Sequence, residues 1–387
     1  MISRPYLDYY SSNKIIPVKQ DVSDLSVHLK RRSILYHYLH IPPTAVRGRR
    51  VLEIGPGTGD NAIHTAALMP DWYVLLDGNP YSIAAVKERL SDNRYKFHLI
   101  PHLECIEADV LTYRDNRRYD LVICEGVIPA QTDPTVCLQR SAGFVDRGGL
   151  LIVTAHSAIS LFAEVCRRLL KPIFARRATS PEDLRDQLMT FLTPHLQTLP
   201  GRSRVIEDWV RDNMFQPWPR SVVFTIEDII TAIGKEFDIY GTSPQFIQDF
   251  RWYKAAVVDT LSLNDLAKAQ AAQWSALFID YRIEPGEFQS FDATDLETEC
   301  LKILTDTHAA WTDDDLERVA ACVNRVQAVG QELRSILPLT SESIQDFVIG
   351  TNALLDGKSI KFNTFTSWFG RGQQYVSLLR NDVFLEH

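Results

Sequence analysis

Between residues 50 and 155 apolar runs of strand length alternate with helix-patterned stretches: RVLEIG, NAIHTAALM, YVLLDG, YSIAAVKERL, LECIEAD, YDLVICEG and GLLIVTAH. Such alternation predicts successive βαβ units and a parallel sheet with helices on both faces. Several runs are apolar at consecutive positions, as strands buried on both sides require. The stretch is therefore expected to form a doubly wound α/β core. At 387 residues the chain has room for more than this core.

The flanking segments carry a different texture. Leu25, Leu29, Ile34, Leu35 and Leu39 pattern a helix ahead of the core. After Ala155, Ala158, Phe162, Val165 and Leu169 fall on one helical face, and Ser180-Pro181-Glu182-Asp183 opens another helix with a capping serine and a first-turn proline. Pro194, Pro200, Gly201, Pro217 and Pro219 are expected to break the pattern that follows. Thr225 caps a helix leading into EFDIYG, a sixth strand. Leu316, Val319, Val323, Val326, Leu333 and Leu337 then form one helical stripe after a start at Thr312 to Asp315, and Gln373 to Leu379 is compatible with a closing strand. The organisation expected is an N-terminal helical cover (1–45), a core (46–157), a helical lid (158–221), a return to the sheet (222–254), a second helical insertion (255–360) and a closing strand (361–387).

Composition excludes several function classes. Hydrophobic residues at 45% and charged residues at 23% rule out a wholly disordered or fibrous chain. A net charge of −8 offers no general attraction to a phosphate backbone, so nucleic acid is not an expected partner. The six cysteines (105, 124, 137, 166, 300, 322) show neither paired spacing nor a nearby metal-ligand histidine, so no disulfide framework and no metal is expected. The segment MISRPYLDYYSSNK lacks the apolar run of a signal peptide, and Leu150 to Ala155 is too short to cross a bilayer. A cytoplasmic protein without membrane insertion is expected, its oligomeric state left open.

The motif that carries chemistry is Val51-Leu52-Glu53-Ile54-Gly55-Pro56-Gly57-Thr58-Gly59, a strand running into a glycine-rich turn and then a helix near Asp60. Glycines permit positive φ and let backbone amides reach a ligand at a helix N-terminus. A dinucleotide-binding loop would carry its third glycine where this chain has Asp60. The spacing, with Glu53 ahead of it, argues against NAD.

Here the sequence resembles the class I S-adenosylmethionine-dependent methyltransferases, whose first motif is E-x-G-x-G-x-G. The resemblance covers residues 50–157 well and 222–243 and 365–381 loosely. It implies a Rossmann-like, seven-stranded, mostly parallel sheet with helical insertions forming a cap, and S-adenosyl-L-methionine as cofactor. Glu53, Gly55, Gly57 and Gly59 match the first motif. Asp77, with Gly78 beside it, matches the acidic residue that accepts hydrogen bonds from the ribose. Asp109 and Val110 match the pair at the adenine, and Glu125 stands at the carboxyl end of the fourth strand. Turn amides suit the cofactor's carboxylate, and Glu53 or a water on it suits its ammonium.

Acceptor groups belong above the carboxyl ends of strands four and five. This nominates Glu125, Gln131 and His156, with His156 as a general base and Glu125 orienting it or the acceptor. A buried structural histidine is the alternative for His156. His28, Arg31 and Arg32 lie within one helical turn and suit an anionic acceptor group, or else form a solvated basic face. In the lid, Trp209, Asp212 and Asn213 suit a sugar or polar metabolite, although amphipathicity explains Trp209 as core equally well. The function expected is methyl transfer to an oxygen or nitrogen of a small polar metabolite or sugar, as in bacterial surface-glycan and secondary-metabolite pathways. The alternatives are a methyltransferase acting on RNA or protein, and a non-catalytic S-adenosylmethionine-binding or interaction module.

Overall fold

The computed structural model describes residues 9–12, 16, 19–218, 222–258 and 261–381. The chain divides into two compact units, one of residues 1–156, 224–271 and 373–387, the other of 157–223 and 272–372. Pro219, among the expected breaks, lies outside the described residues.

The first unit is built on a seven-stranded sheet. Its strands are β1 (Arg50–Ile54), β2 (Trp72–Asp77), β3 (His102–Glu107), β4 (Tyr119–Cys124), β5 (Val145–Ala155), β6 (Phe237–Ser243) and β7 (Gln374–Arg380), in the spatial order β3-β2-β1-β4-β5-β7-β6. The pairs β1–β2, β2–β3, β1–β4 and β4–β5 are parallel, whereas β7 runs antiparallel to both β5 and β6. The fold is thus the doubly wound, Rossmann-like α/β sheet of the class I methyltransferases. Strand order reverses between β1 and β4, so the crevice at their carboxyl ends is where such sheets place ligands.

Local chemistry accounts for the helices that cover this sheet. Helix α1 (Leu25–Tyr38) starts at Asp24, whose carboxylate accepts from the Val27 N–H at 3.1 Å. Helix α2 (Ala62–Ala67) follows the glycine turn, and α3 (Pro80–Ser91) and α4 (Pro134–Ala142) pair Asn79 and Asp133 caps with a first-turn proline. Tyr36 and Leu39 at the end of α1, with Ala62, Ile63 and Ala66 of α2, pack on Val51, Tyr73, Leu75, Leu121, Ile123 and Ile152 of the sheet. A further helix, Ile226–Ile233, carries a capping box of Thr225 and Asp228 and buries Ile226, Ile229, Ile230 and Ile233.

The second unit is helical. Leu184, Leu188, Leu192 and Leu196 line one face of Pro181–Gln197 and pack with Val210, Met214 and Phe369. Pro194 does not break this helix as its residue type predicts. It sits in the last turn, where few backbone bonds remain to be lost. The Leu316 stripe also divides differently from expectation: Asp314 stands at φ 50°, Asp315 caps Leu316–Glu332, and Leu337 caps the following helix. Within this unit Glu297 accepts from the Ala158 and Ile159 N–H groups at 2.6 and 2.9 Å. Arg167 is buried with its guanidinium 4.7 Å and 3.7 Å from the Phe365 and Phe369 ring centres. Among the described residues no helix is long and apolar enough to cross a membrane, and no group of His, Cys, Asp and Glu is arranged to hold a metal ion.

Candidate cofactor and acceptor site

The glycine turn leaves β1 with Gly55, Gly57 and Gly59 at φ of +72°, +58° and +77°. These glycines are required for different reasons. A Cβ on Gly55 would strike the Val127 side chain, so this position is closed by the protein itself. A Cβ on Gly57 would meet nothing within 4 Å, so the backbone here borders open space. An S-adenosyl group fits such a cradle, because the turn exposes amides beside an acidic strand end.

That acid is Asp77, whose Oδ1 accepts from the Asn79 N–H at 2.8 Å and whose Oδ2 accepts from the Gly57 N–H at 3.3 Å. The two strand ends are thereby tied together. Burial pushes the Asp77 carboxyl up to about 6, against the pull of those amides. Gly78 is half-buried beside it. One strand further, Asp109 accepts from the Leu111 N–H at 2.7 Å, and Val110 is buried. These residues stand at or just beyond the carboxyl ends of β1, β2 and β3.

Asp60 braces the turn, a role its sequence position did not disclose. It is 2% exposed, yet accepts from the Thr58 hydroxyl at 2.7 Å, Arg89 Nη2 at 2.5 Å and the Gln20 N–H at 2.9 Å. The only signal in the sequence was an acid standing where a dinucleotide loop has glycine.

Behind the turn lies a buried polar cluster. Glu53 accepts from the Tyr73 hydroxyl. Burial, and secondarily Glu125, push the Glu53 carboxyl up to about 7 despite that bond and Arg32 nearby. Arg32 donates from Nη1 to Glu125 Oε2 at 2.9 Å and from Nη2 to Oε1 at 2.7 Å. Burial opposes the Arg32 charge, but Glu125 outweighs it and raises the guanidinium pKa further. Arg32 is thus committed within the protein and is not the free anion clamp its place on α1 suggested. The reason is tertiary: α1 lies over the end of β4 and buries both charges, which must then pair.

The remaining candidates fall in three places. His28 is buried, its Nδ1 3.0 Å from Arg31 Nη2, and burial followed by Arg31 and Arg32 lowers its pKa. Arg31 is half-buried, and among the described residues no carboxylate is bonded to it. Near β4, Gln131 closes a short turn by donating to the Val127 carbonyl at 3.1 Å. His156 continues β5, half-buried, with its backbone bonded in both directions to Phe224 at 2.9 and 3.0 Å. In the helical unit, Trp209 packs against Phe369 and Asp212 pairs with Arg204 at 2.6 Å. Asn213 donates to the Trp209 carbonyl at 2.9 Å and its own carbonyl accepts from Arg168. These three side chains make packing and pairing contacts within their own unit.

Residues 52–151 match the family described as methyltransferase domain. No curated protein matches the chain. Among solved structures the chain is similar to the N-methyltransferase NodS from Bradyrhizobium japonicum WM9 in complex with S-adenosyl-L-homocysteine, at 17% identity and a TM-score of 0.32, over 39% of this chain and 74% of that one. It is also similar to magnesium protoporphyrin IX methyltransferase from Synechocystis PCC 6803 with bound S-adenosylmethionine, at 17% identity and a TM-score of 0.30, over 39% and 74% of the two chains.

Proposed function

The chain is built on a class I S-adenosylmethionine-dependent methyltransferase domain, and from that premise we propose that it methylates an oxygen or nitrogen of a small polar metabolite or sugar. The observation that carries this reading is the pairing of an open glycine cradle at Gly57 with an immobilised carboxyl group, Glu125, at the end of β4. The cofactor supplies a methyl group on a sulfonium. What remains for the protein is to hold the acceptor in line, keep its lone pair available and exclude water.

Glu125 suits the first task. Both its oxygens are bonded to Arg32, and its remaining lone pairs can fix an acceptor N–H or O–H. Proton removal from a hydroxyl acceptor then falls to His156, which stands at the end of the neighbouring strand. An amine acceptor would need no such base, only desolvation.

The test is a mass-spectrometric screen of small-molecule extracts with methyl-labelled S-adenosylmethionine. A labelled small polar product supports the reading. Label found only in protein or RNA would replace it with the macromolecular alternative, and no labelled product with intact cofactor binding would favour a non-catalytic binding module.

A further inference from the structure

Three guanidiniums gather beside the start of β4 with no carboxylate bonded to any of them. Arg114 and Arg118 stand in the segment that links β3 to β4, and Arg140 stands in the last turn of α4. Arg114 Nη1 donates to the Tyr113 carbonyl at 3.0 Å, and Arg140 Nη2 donates to the same oxygen. Two cations are thus brought onto one neutral acceptor. Arg118, exposed like Arg114, donates to the Arg117 carbonyl at 3.3 Å. Burial, then the charges of Arg114 and Arg118, lower the Arg140 pKa, as a crowding of like charges requires.

The acids of this region do not relieve the crowding. Asp115 accepts from Arg117 Nε and from the Tyr113 and Tyr119 hydroxyls, and Glu104 accepts from both Nη atoms of Arg117. Arg117 therefore holds two carboxylates, whereas among the described residues none is bonded to Arg114, Arg118 or Arg140. The end of a helix favours a cation, which accounts for Arg140 but not for its two companions. Arg140 is also held in place: its Cζ lies 4.7 Å from the Phe144 ring centre, and its Nε is buried without a bonded partner.

Guanidiniums this close repel one another unless an anion bridges them. A carboxylate brings one charge and two oxygens, which one guanidinium fork satisfies. A tetrahedral oxyanion of the phosphate type brings up to two charges and at least three acceptor oxygens, which suits a group of three. Arg118 directly precedes β4, whereas Glu125 follows it, so the cluster and the acceptor site belong to opposite ends of that strand.

We propose that Arg114, Arg118 and Arg140 form a binding site for a phosphate-type oxyanion, separate from the cofactor and acceptor site. The anion is either inorganic phosphate or the phosphoryl group of a small molecule.

Titration calorimetry of the full chain with inorganic phosphate and with glycerol phosphate tests this, with sodium chloride keeping the ionic strength constant. Saturable binding of a single anion per chain is expected. Arg114→Gln and Arg118→Gln, both at exposed positions, should each weaken it by about fivefold, and Arg140→Lys, which keeps the charge but removes the fork, by a similar factor. Melting verifies that each variant is folded, and S-adenosylhomocysteine affinity should stay unchanged in all three. Arg94→Gln, at an exposed arginine paired with Asp92, should leave anion binding as it is. Tighter binding of glycerol phosphate than of phosphate supports the site and assigns it to a phosphorylated small molecule, and the reverse order supports it and assigns it to the free ion. Absence of saturable binding by either anion, binding that survives intact in Arg114→Gln and Arg118→Gln, or equal weakening by Arg94→Gln would overturn the proposal. A single-stranded oligonucleotide bound through the same arginines far more tightly than either anion would replace it with a nucleic-acid surface.

Discussion

Arg32 and Glu125, 93 residues apart in sequence, meet through two parallel hydrogen bonds of 2.9 and 2.7 Å with side chains only 6% and 11% exposed. The pair joins α1 to the carboxyl end of β4, so the N-terminal cover and the acceptor end of the sheet are one electrostatic unit. Tyr36 lies under the guanidinium, its ring centre 5.4 Å from Arg32 Cζ.

Breaking this pair from one side should be costly. Arg32→Met or Glu125→Leu alone leaves a buried charge unpaired and should lower stability by about 3 to 5 kcal/mol. The double variant should recover much of that loss, because two apolar side chains of similar size leave no charge behind. Urea denaturation of the four proteins forms the cycle, and additive losses would mean that the pair is not coupled.

The glycine turn should divide into a folding position and a ligand position. Gly55→Ala drives a methyl into Val127 and should cost about 1 to 3 kcal/mol from overpacking, beyond the left-handed strain. Gly57→Val has open space and costs the fold mainly its strain of about 1 to 2 kcal/mol, but its side chain occupies the cradle. The expected result is a folded Gly57→Val protein that fails to bind S-adenosylhomocysteine in calorimetry.

Asp77→Ala removes the acceptor offered to the ribose and one tie to the Gly57 amide. Affinity for S-adenosylhomocysteine should fall by about 1.5 to 3 kcal/mol, the range for hydrogen bonds to a charged group. Unchanged affinity would reject Asp77 as the ribose partner.

Glu53 should make the ligand-free protein lose stability as pH rises from about 4.5 to about 7, a contribution read against the Glu53→Gln variant. Glu53 has a folded pKa near 7 against an ordinary 4.5, so in this window the folded state binds more protons than the unfolded chain. A shift of this size corresponds to roughly 3 to 3.5 kcal/mol, lost progressively across the window and wholly lost above it. Asp77 and Glu164 are raised in the same direction, whereas His64 and His195, lowered to about 3 by burial, act in the opposite one, so the informative quantity is the difference from Glu53→Gln. The melting temperature of the parent minus that of the variant should fall between pH 5 and 7.5.

His156→Ala should reduce turnover by about 10² to 10⁴ on a hydroxyl acceptor and leave S-adenosylhomocysteine binding intact. Near-normal turnover would move the chemistry to an amine acceptor.

The sheet was legible because every signal behind it is local. Consecutive apolar residues in VLEI, YVLL and LVIC mark strands buried on both faces, and Asn79-Pro80, Asp133-Pro134 and Ser180-Pro181 mark helix starts through bonds spanning two or three residues. The glycine turn and Asp77 were legible for the same reason, since a positive φ and a strand-end acid are properties of a short stretch. Pairing of charges is not local. His28, Arg31 and Arg32 look alike along one turn of α1, and only the docking of that helix on β4 assigns Arg32 to Glu125 and leaves Arg31 as the half-buried one. Nothing along the sequence tells that Asp212 meets Arg204 or that the Asn213 carbonyl meets the buried Arg168. Sequence by itself determined which residues could be strands, turns and strand-end acids. Tertiary structure decided which charges are spent on one another, because the desolvation that forces a pair to form exists only once distant elements have closed over it.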